Sequence, residues 1–227
     1  MPMSGCLAAD DSLAGRRAGV LVAPESDGLG DFAQSIARRL AEAGYVAFAV
    51  DYYGGGEILT KMDQVITRVG ALRANLDGRG ARAAAALAVL ASQAECDAAK
   101  LAAIGYCFGG TVVLELARSG AHVKAVVGFH CGLATSRPQD AKQIKGSVLV
   151  CMDDGDPLVP PDQRLAFETE RAAGGVDWRL NVYGGAGHSF ASRGAEARES
   201  PGFGYHEPSD QRSWRAMVDL LDETFAS

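Results

Sequence analysis

The run LAAIGYCFGGTVVLE at residues 101–115 constrains this chain more than any other stretch. Its first four residues are apolar, Gly105 stops them, and from Gly109 onward Val112, Val113, Leu116 and Ala117 recur at helical spacing. That order is a strand, a sharp turn and a helix. Between the two elements, Gly105-Tyr106-Cys107-Phe108-Gly109 has the form of a Gly-x-Ser-x-Gly nucleophile elbow with a thiol replacing the hydroxyl. Side chains at the two flanking positions would collide with the neighbouring strand and helix, which is the physical reason for glycine there. Cys107 would stand at the tip of the turn, where free N–H groups and the positive end of the helix dipole favour a thiolate and a developing oxyanion. A cysteine in such a place can equally be a small buried hydrophobe, so the weight falls on the rest of the chain.

Apolar runs at 19–23, 45–50, 123–129, 147–152 and 178–183 read as further strands, with a short edge strand within 3–9. Because most of these runs are continuously apolar, they fit parallel strands covered on both faces. Residues 31–43, 81–94, 161–173 and 209–225 read as helices, the last with Trp214, Met217, Leu220 and Leu221 inward. Residues 58–76 read as a weakly helical excursion over a pocket mouth, and 191–207, without any period, as a long loop. Alternation of this kind, with no repeat or linker, predicts one doubly wound α/β domain over 1–227, a mostly parallel sheet flanked by helices.

Composition narrows the function classes. With 48% hydrophobic and 22% charged residues and a net charge of −6, the chain is an ordinary globular one for which nucleic acid is not an expected partner. No apolar run approaches the length of a membrane span and no basic-then-apolar leader opens the chain, so no membrane association and a cytoplasmic location are expected. The five cysteines form no C-x-x-C pair and are odd in number, which argues against a disulfide framework. The four histidines lack metal-ligand spacing, and neither metal nor cofactor is expected.

Ligands of open α/β sheets sit at the carboxyl ends of strands, so the residues just past each strand are the candidates. These are Glu25 and Ser26, then Tyr52 and Tyr53, His130, the acids Asp153, Asp154 and Asp156, and His188 in a glycine-rich loop. Nucleophile, acid, histidine is the chain order of the α/β-hydrolases, with Cys107, one Asp of 153–156, and His188 filling it.

At these residues the sequence resembles the dienelactone hydrolases, over most of the chain. Gly105-Tyr106-Cys107-Phe108-Gly109-Gly110 is similar to that family's GYC(F/L)GG, Asp156-Pro157-Leu158-Val159-Pro160 to its D-x-x-V-P, and His188-Ser189-Phe190 to its HSF. The resemblance selects Asp156, which stands three residues before the Val-Pro pair, and implies an α/β-hydrolase fold. It matches Glu25 to the glutamate that the family places beside its thiol to help form thiolate. Together with the chemistry, it assigns Cys107 as nucleophile, His188 as proton carrier, Asp156 as the group that orients the imidazole, and the backbone N–H groups of Ser26 and Phe108 as oxyanion donors. Tyr52, Tyr53 and His130 are placed to line the pocket. In the family the arginine associated with a substrate carboxylate follows HSF by two residues, whereas Arg193 arrives one residue later.

The expected activity is therefore hydrolysis of small carboxylic esters or lactones through a thioacyl-enzyme. A hydrolase-fold protein that binds a small molecule without turnover is the alternative from another class, and a thiol amidase or peptidase the nearest enzymatic one. Oligomeric state and acyl preference are not encoded in any of these motifs.

Overall fold

The computed structural model describes residues 4–193, 195 and 201–226, with 76–79 described in backbone only. Seven strands, β1 (Gly5–Ala8), β2 (Arg17–Ala23), β3 (Val46–Val50), β4 (Cys96–Tyr106), β5 (Ala125–Phe129), β6 (Ser147–Asp153) and β7 (Trp178–Tyr183), form one sheet in the order β1-β3-β2-β4-β5-β6-β7. All neighbouring pairs are parallel except β1 with β3.

The strands are apolar on both sides because both sides are covered. Along β2, Leu21 and Ala23 belong to the core cluster shared with Leu90, Val113 and Phe167, while Val20 and Val22 belong to the one shared with Ile36, Leu40 and Met217. Alternation of period two thus feeds two cores. The first lies under α2 (Met62–Ala74), α3 (Leu76–Ala91), α4 (Phe108–Arg118) and α5 (Pro161–Gly174); the second lies under α1 (Asp31–Glu42) and α6 (Glu207–Ala226). From β2 the chain crosses one way to β3 and returns the other way to β4, so the strand order reverses between β2 and β4. That switch point opens a crevice at the carboxyl ends of both strands, where Glu25 and Cys107 follow.

Several boundaries differ from the sequence reading. β4 begins at Cys96, ahead of the apolar run that opens at Leu101, because Cys96 and Asp97 pair with Arg17 and Ala18 before the register shifts at Gly19. The polar character of 97–100 reflects a strand end protruding into solvent. The helix expected at 81–94 runs from Leu76 to Ala91, directly after α2. A 3-10 helix, Pro138–Gln143, lies in a segment that carries no periodic signal. The glycine run after β3 is a turn: Gly54, Gly55 and Gly56 have φ of 85°, 74° and 70°, and the N–H groups of Gly54 and Gly56 donate to the two carboxylate oxygens of Asp51 at 2.9 and 2.8 Å.

α4 and α5 are joined by a buried ion pair. Arg118 donates from Nε and Nη2 to Glu170 at 2.7 and 2.8 Å, and from Nη1 to Glu115 at 2.6 Å. Arg118→Ala would leave the Glu170 carboxylate buried without this partner, at a cost of about 3–5 kcal/mol. Thermal unfolding should therefore drop by roughly 10 °C.

Candidate active site

Cys107 occupies a left-handed conformation, φ 50° and ψ −118°, between β4 and α4. Its neighbours leave it no alternative. A Cβ on Gly105 would lie 2.2 Å from the Gly109 carbonyl oxygen, a Cβ on Gly109 would lie 2.2 Å from that of Ala23, and one on Gly110 would lie 2.4 Å from the Cys131 Cβ. The elbow glycines are thus points of backbone contact between β4, α4 and the end of β2, which brings the 24–26 segment against the first turn of α4. The Cys107 N–H donates to the Phe129 carbonyl at 3.0 Å, tying the turn to the end of β5 as well.

His188 reaches the sulfur from the loop after β7. Its Nε2 lies 3.2 Å from Cys107 Sγ and its Nδ1 lies 2.8 Å from Asp156 Oδ2, so one imidazole bridges thiol and carboxylate. The other oxygen of Asp156 accepts the Leu158 N–H at 2.7 Å, which fixes the carboxylate's orientation. Among the three acids after β6, it is Asp156 that meets the histidine. Burial alone would depress the His188 pKa, but the hydrogen bonds to Asp156 and Cys107 outweigh it and hold the imidazole well above its usual range. Imidazolium is the form that stabilises a thiolate on the neighbouring sulfur. Cys131 and Cys151, by contrast, are buried thiols pushed far up by desolvation, and so are inert.

Glu25 is also buried, at the end of β2. Its Oε2 accepts the Ser192 hydroxyl at 3.3 Å, and its Oε1 stands 3.8 Å from His130 Nε2. His130, read from the sequence as a pocket-lining residue, is fully buried beside His188, with ring centroids 5.3 Å apart. Tyr52 and Tyr53 are buried too. Their hydroxyls donate to the carbonyls of Pro24 and of Ser26, the latter at 2.7 Å, so they brace the loop that carries Ser26. Arg193 is not brought to the thiol. Its guanidinium lies 5.0 Å over the Tyr205 ring, at the groove between α1 and α6 that Arg39 and Asp210 share.

Two features of the site carried no signal in the sequence. The described part of the 191–207 loop folds back on His188, whose N–H donates to Gly202 at 2.7 Å and whose carbonyl accepts from Gly204 at 3.0 Å. Phe203, between them, packs its ring 4.8 Å from the imidazole. Gly187 and Gly202 approach closely, and a Cβ on Gly187 would meet the Gly202 carbonyl at 2.6 Å.

Asp153, three residues before Asp156, is buried, and desolvation followed by the charge of Asp156 pushes its carboxyl up to about 7. In the unfolded chain the same group ionises near pH 3.9. Between about pH 4 and about pH 7 the unfolded chain releases a proton that the folded chain keeps, so this acid opposes folding increasingly across that window. Asp153→Asn should therefore leave stability unchanged near pH 4 and raise it at pH 8 by on the order of 3 kcal/mol, read by urea unfolding at both values.

A family model, the dienelactone hydrolase family, matches residues 3–225. Among solved structures, one titled m3DLH is 45% identical, with a TM-score of 0.94, covering 97% of this chain and 92% of that one. A dienelactone-hydrolase-like promiscuous phosphotriesterase from metagenomic libraries is 36% identical, with a TM-score of 0.92, covering 98% of both chains. A Yersinia pestis protein named "Putative carboxymethylenebutenolidase" is 27% identical over 90% of this chain and 77% of its own length. Among the described residues, no helix is long and apolar enough to cross a membrane.

Proposed function

The chain belongs to the dienelactone hydrolase family, and on that premise we propose that it hydrolyses small carboxylic esters or lactones through a thioacyl-enzyme on Cys107. The observation that carries this reading is the single imidazole of His188 held 3.2 Å from Cys107 Sγ and 2.8 Å from Asp156 Oδ2.

In the proposed cycle the Cys107 thiolate attacks the carbonyl carbon. The oxyanion that forms accepts from the backbone N–H groups of Phe108, at the start of α4, and Ser26, where the helix dipole adds to the two hydrogen bonds. His188 then gives its proton to the leaving oxygen. For a lactone, that oxygen stays tethered to the acyl group as a free hydroxyl. A water enters, His188 takes its proton, and the resulting attack on the thioester regenerates the thiol. Asp156 keeps Nδ1 protonated and stabilises the imidazolium in both halves. Phe203, packed on the imidazole, limits the water that reaches it.

A second reading concerns substrate range. The 36% identity to a promiscuous phosphotriesterase over 98% of both chains favours including an aryl phosphotriester among the substrates tested.

The test is hydrolysis of p-nitrophenyl acetate and of a dienelactone by wild type, Cys107→Ala and Asp156→Asn. Wild type should turn over at least one of them. The alanine variant should lose about 10⁴-fold or more in kcat, and the asparagine variant about 10²–10⁴-fold. Full activity in Cys107→Ala would sink the thiol mechanism, and saturable binding without product by wild type would favour a pure binder.

A further inference from the structure

Beside the ion pair that joins α4 to α5 lies a second guanidinium, on α5 itself, with no acceptor of its own. Arg171 is 0% exposed, and its Cζ lies 4.7 Å over the Phe167 ring, one turn earlier on the same helix. Nη1 stands 3.3 Å from Glu170 Oε1, at ion-pair distance, yet among the described residues none accepts a hydrogen bond from Nε, Nη1 or Nη2. Arg118 has already taken both oxygens of Glu170, through Nε and Nη2 at 2.7 and 2.8 Å. Glu115, the more exposed of the two acids, accepts from Nη1 of Arg118 at 2.6 Å.

We propose that Arg171 holds a compact inorganic anion of the halide class, buried where α5 meets α4 and the segment that follows β5. The hydrolase reading plays no part in this inference.

The argument is one of hydrogen-bond donors. A guanidinium carries five N–H groups and accepts nothing. Burial, and after it the charge of Arg118, lower the Arg171 pKa to about 10, which leaves the side chain a cation at neutral pH. Each buried donor left unpaired keeps its desolvation cost in full, and here that holds for every nitrogen of the group. A water could accept from Arg171, but it would have to place its own two hydrogens as well. The acceptors nearby are engaged. Both Glu170 oxygens and the Leu133 carbonyl take bonds from Arg118, the last at 3.4 Å, and Gln163 Oε1 takes the N–H groups of Leu133 and Ala134 at 2.6 and 3.1 Å. An anion accepts several N–H groups and needs no acceptor in return. Phe167 covers one face of the guanidinium, so the ligand comes to its edge, where the donors point. Full burial selects a compact anion over a phosphate or a carboxylic acid. The Cys131 thiol, kept neutral by desolvation, adds no opposing charge. Through Arg118 and the Leu133 carbonyl the cluster is tied to the same segment whose Cys131 packs on Gly110 of the elbow, so the mark of binding is stability.

The first test is diffraction at the bromine edge from wild-type crystals grown in sodium bromide. An anomalous peak at the edge of the Arg171 guanidinium is expected; bromide confined to the surface, or density there that scatters no more than a water, overturns the proposal. The second is thermal unfolding of wild type and Arg171→Met in mixtures of sodium chloride and sodium gluconate at constant ionic strength. Wild type should gain about 3 °C for each tenfold increase in chloride above its dissociation constant, and Arg171→Met should show no gain. Equal unfolding temperatures of wild type in the two salts, or a chloride-dependent rise that survives in Arg171→Met, overturns the proposal. Should Arg171→Met fail to fold, the bromide experiment and the wild-type salt series decide without it.

Discussion

The reactive edge depends on a turn with no room for a Cβ. At Cys107 the backbone is forced into the left-handed region, a local cost of order 1–3 kcal/mol, and the cost is borne because Gly105 and Gly109 let β4, α4 and the end of β2 touch at backbone distance. Once they touch, several consequences arrive together. Cys107 sits at the tip of the turn ahead of α4, and the Ala23 and Pro24 carbonyls at the end of β2 lie against Gly109 in the first turn of that helix. The other non-glycine residues with positive φ among those described, His130 at 36° and Ser189 at 64°, flank the triad histidine. Strain in this molecule is concentrated where the reacting groups meet.

What could be read from the sequence, and what could not, follows from this concentration. The turn was legible because its glycines are chemically diagnostic, and the acid and histidine were legible because each follows a buried apolar strand. Parallel strands end at one edge, so residues just past their carboxyl ends converge whatever the loops between them do. Loop side chains obey no such rule. Tyr52 and Tyr53 stand at a strand end like the others, yet their hydroxyls turn to the Pro24 and Ser26 carbonyls. Arg193 lies near His188 in sequence, yet its guanidinium stacks on Tyr205. Phe203 reaches the imidazole through a β-bridge between irregular segments, a contact that neither periodicity nor composition encodes. Element boundaries differ for a related reason: the polar residues opening β4 lie outside the apolar run that marks the strand, because that end stands in solvent while still pairing with β2.

Burial divides the ionisable groups of the site into kinds. Asp156 is compensated by His188 and by the Leu158 N–H. Asp153, one turn of chain away, lacks comparable compensation and is pushed toward the neutral acid. Glu25 has Ser192 and His130 as neighbours. It is the arrangement of donors around each carboxyl group, more than residue type, that distinguishes the three.

The tethering of His188 bears on how such an enzyme can change. Its N–H and carbonyl are both held by backbone partners on the far side of the loop, Gly202 and Gly204. The imidazole's position is therefore set in part by pairing between main-chain atoms, which side-chain identity does not supply. Side chains around the candidate site can therefore change while the imidazole keeps its main-chain anchorage, so substrate range can diversify in this lineage without moving the histidine.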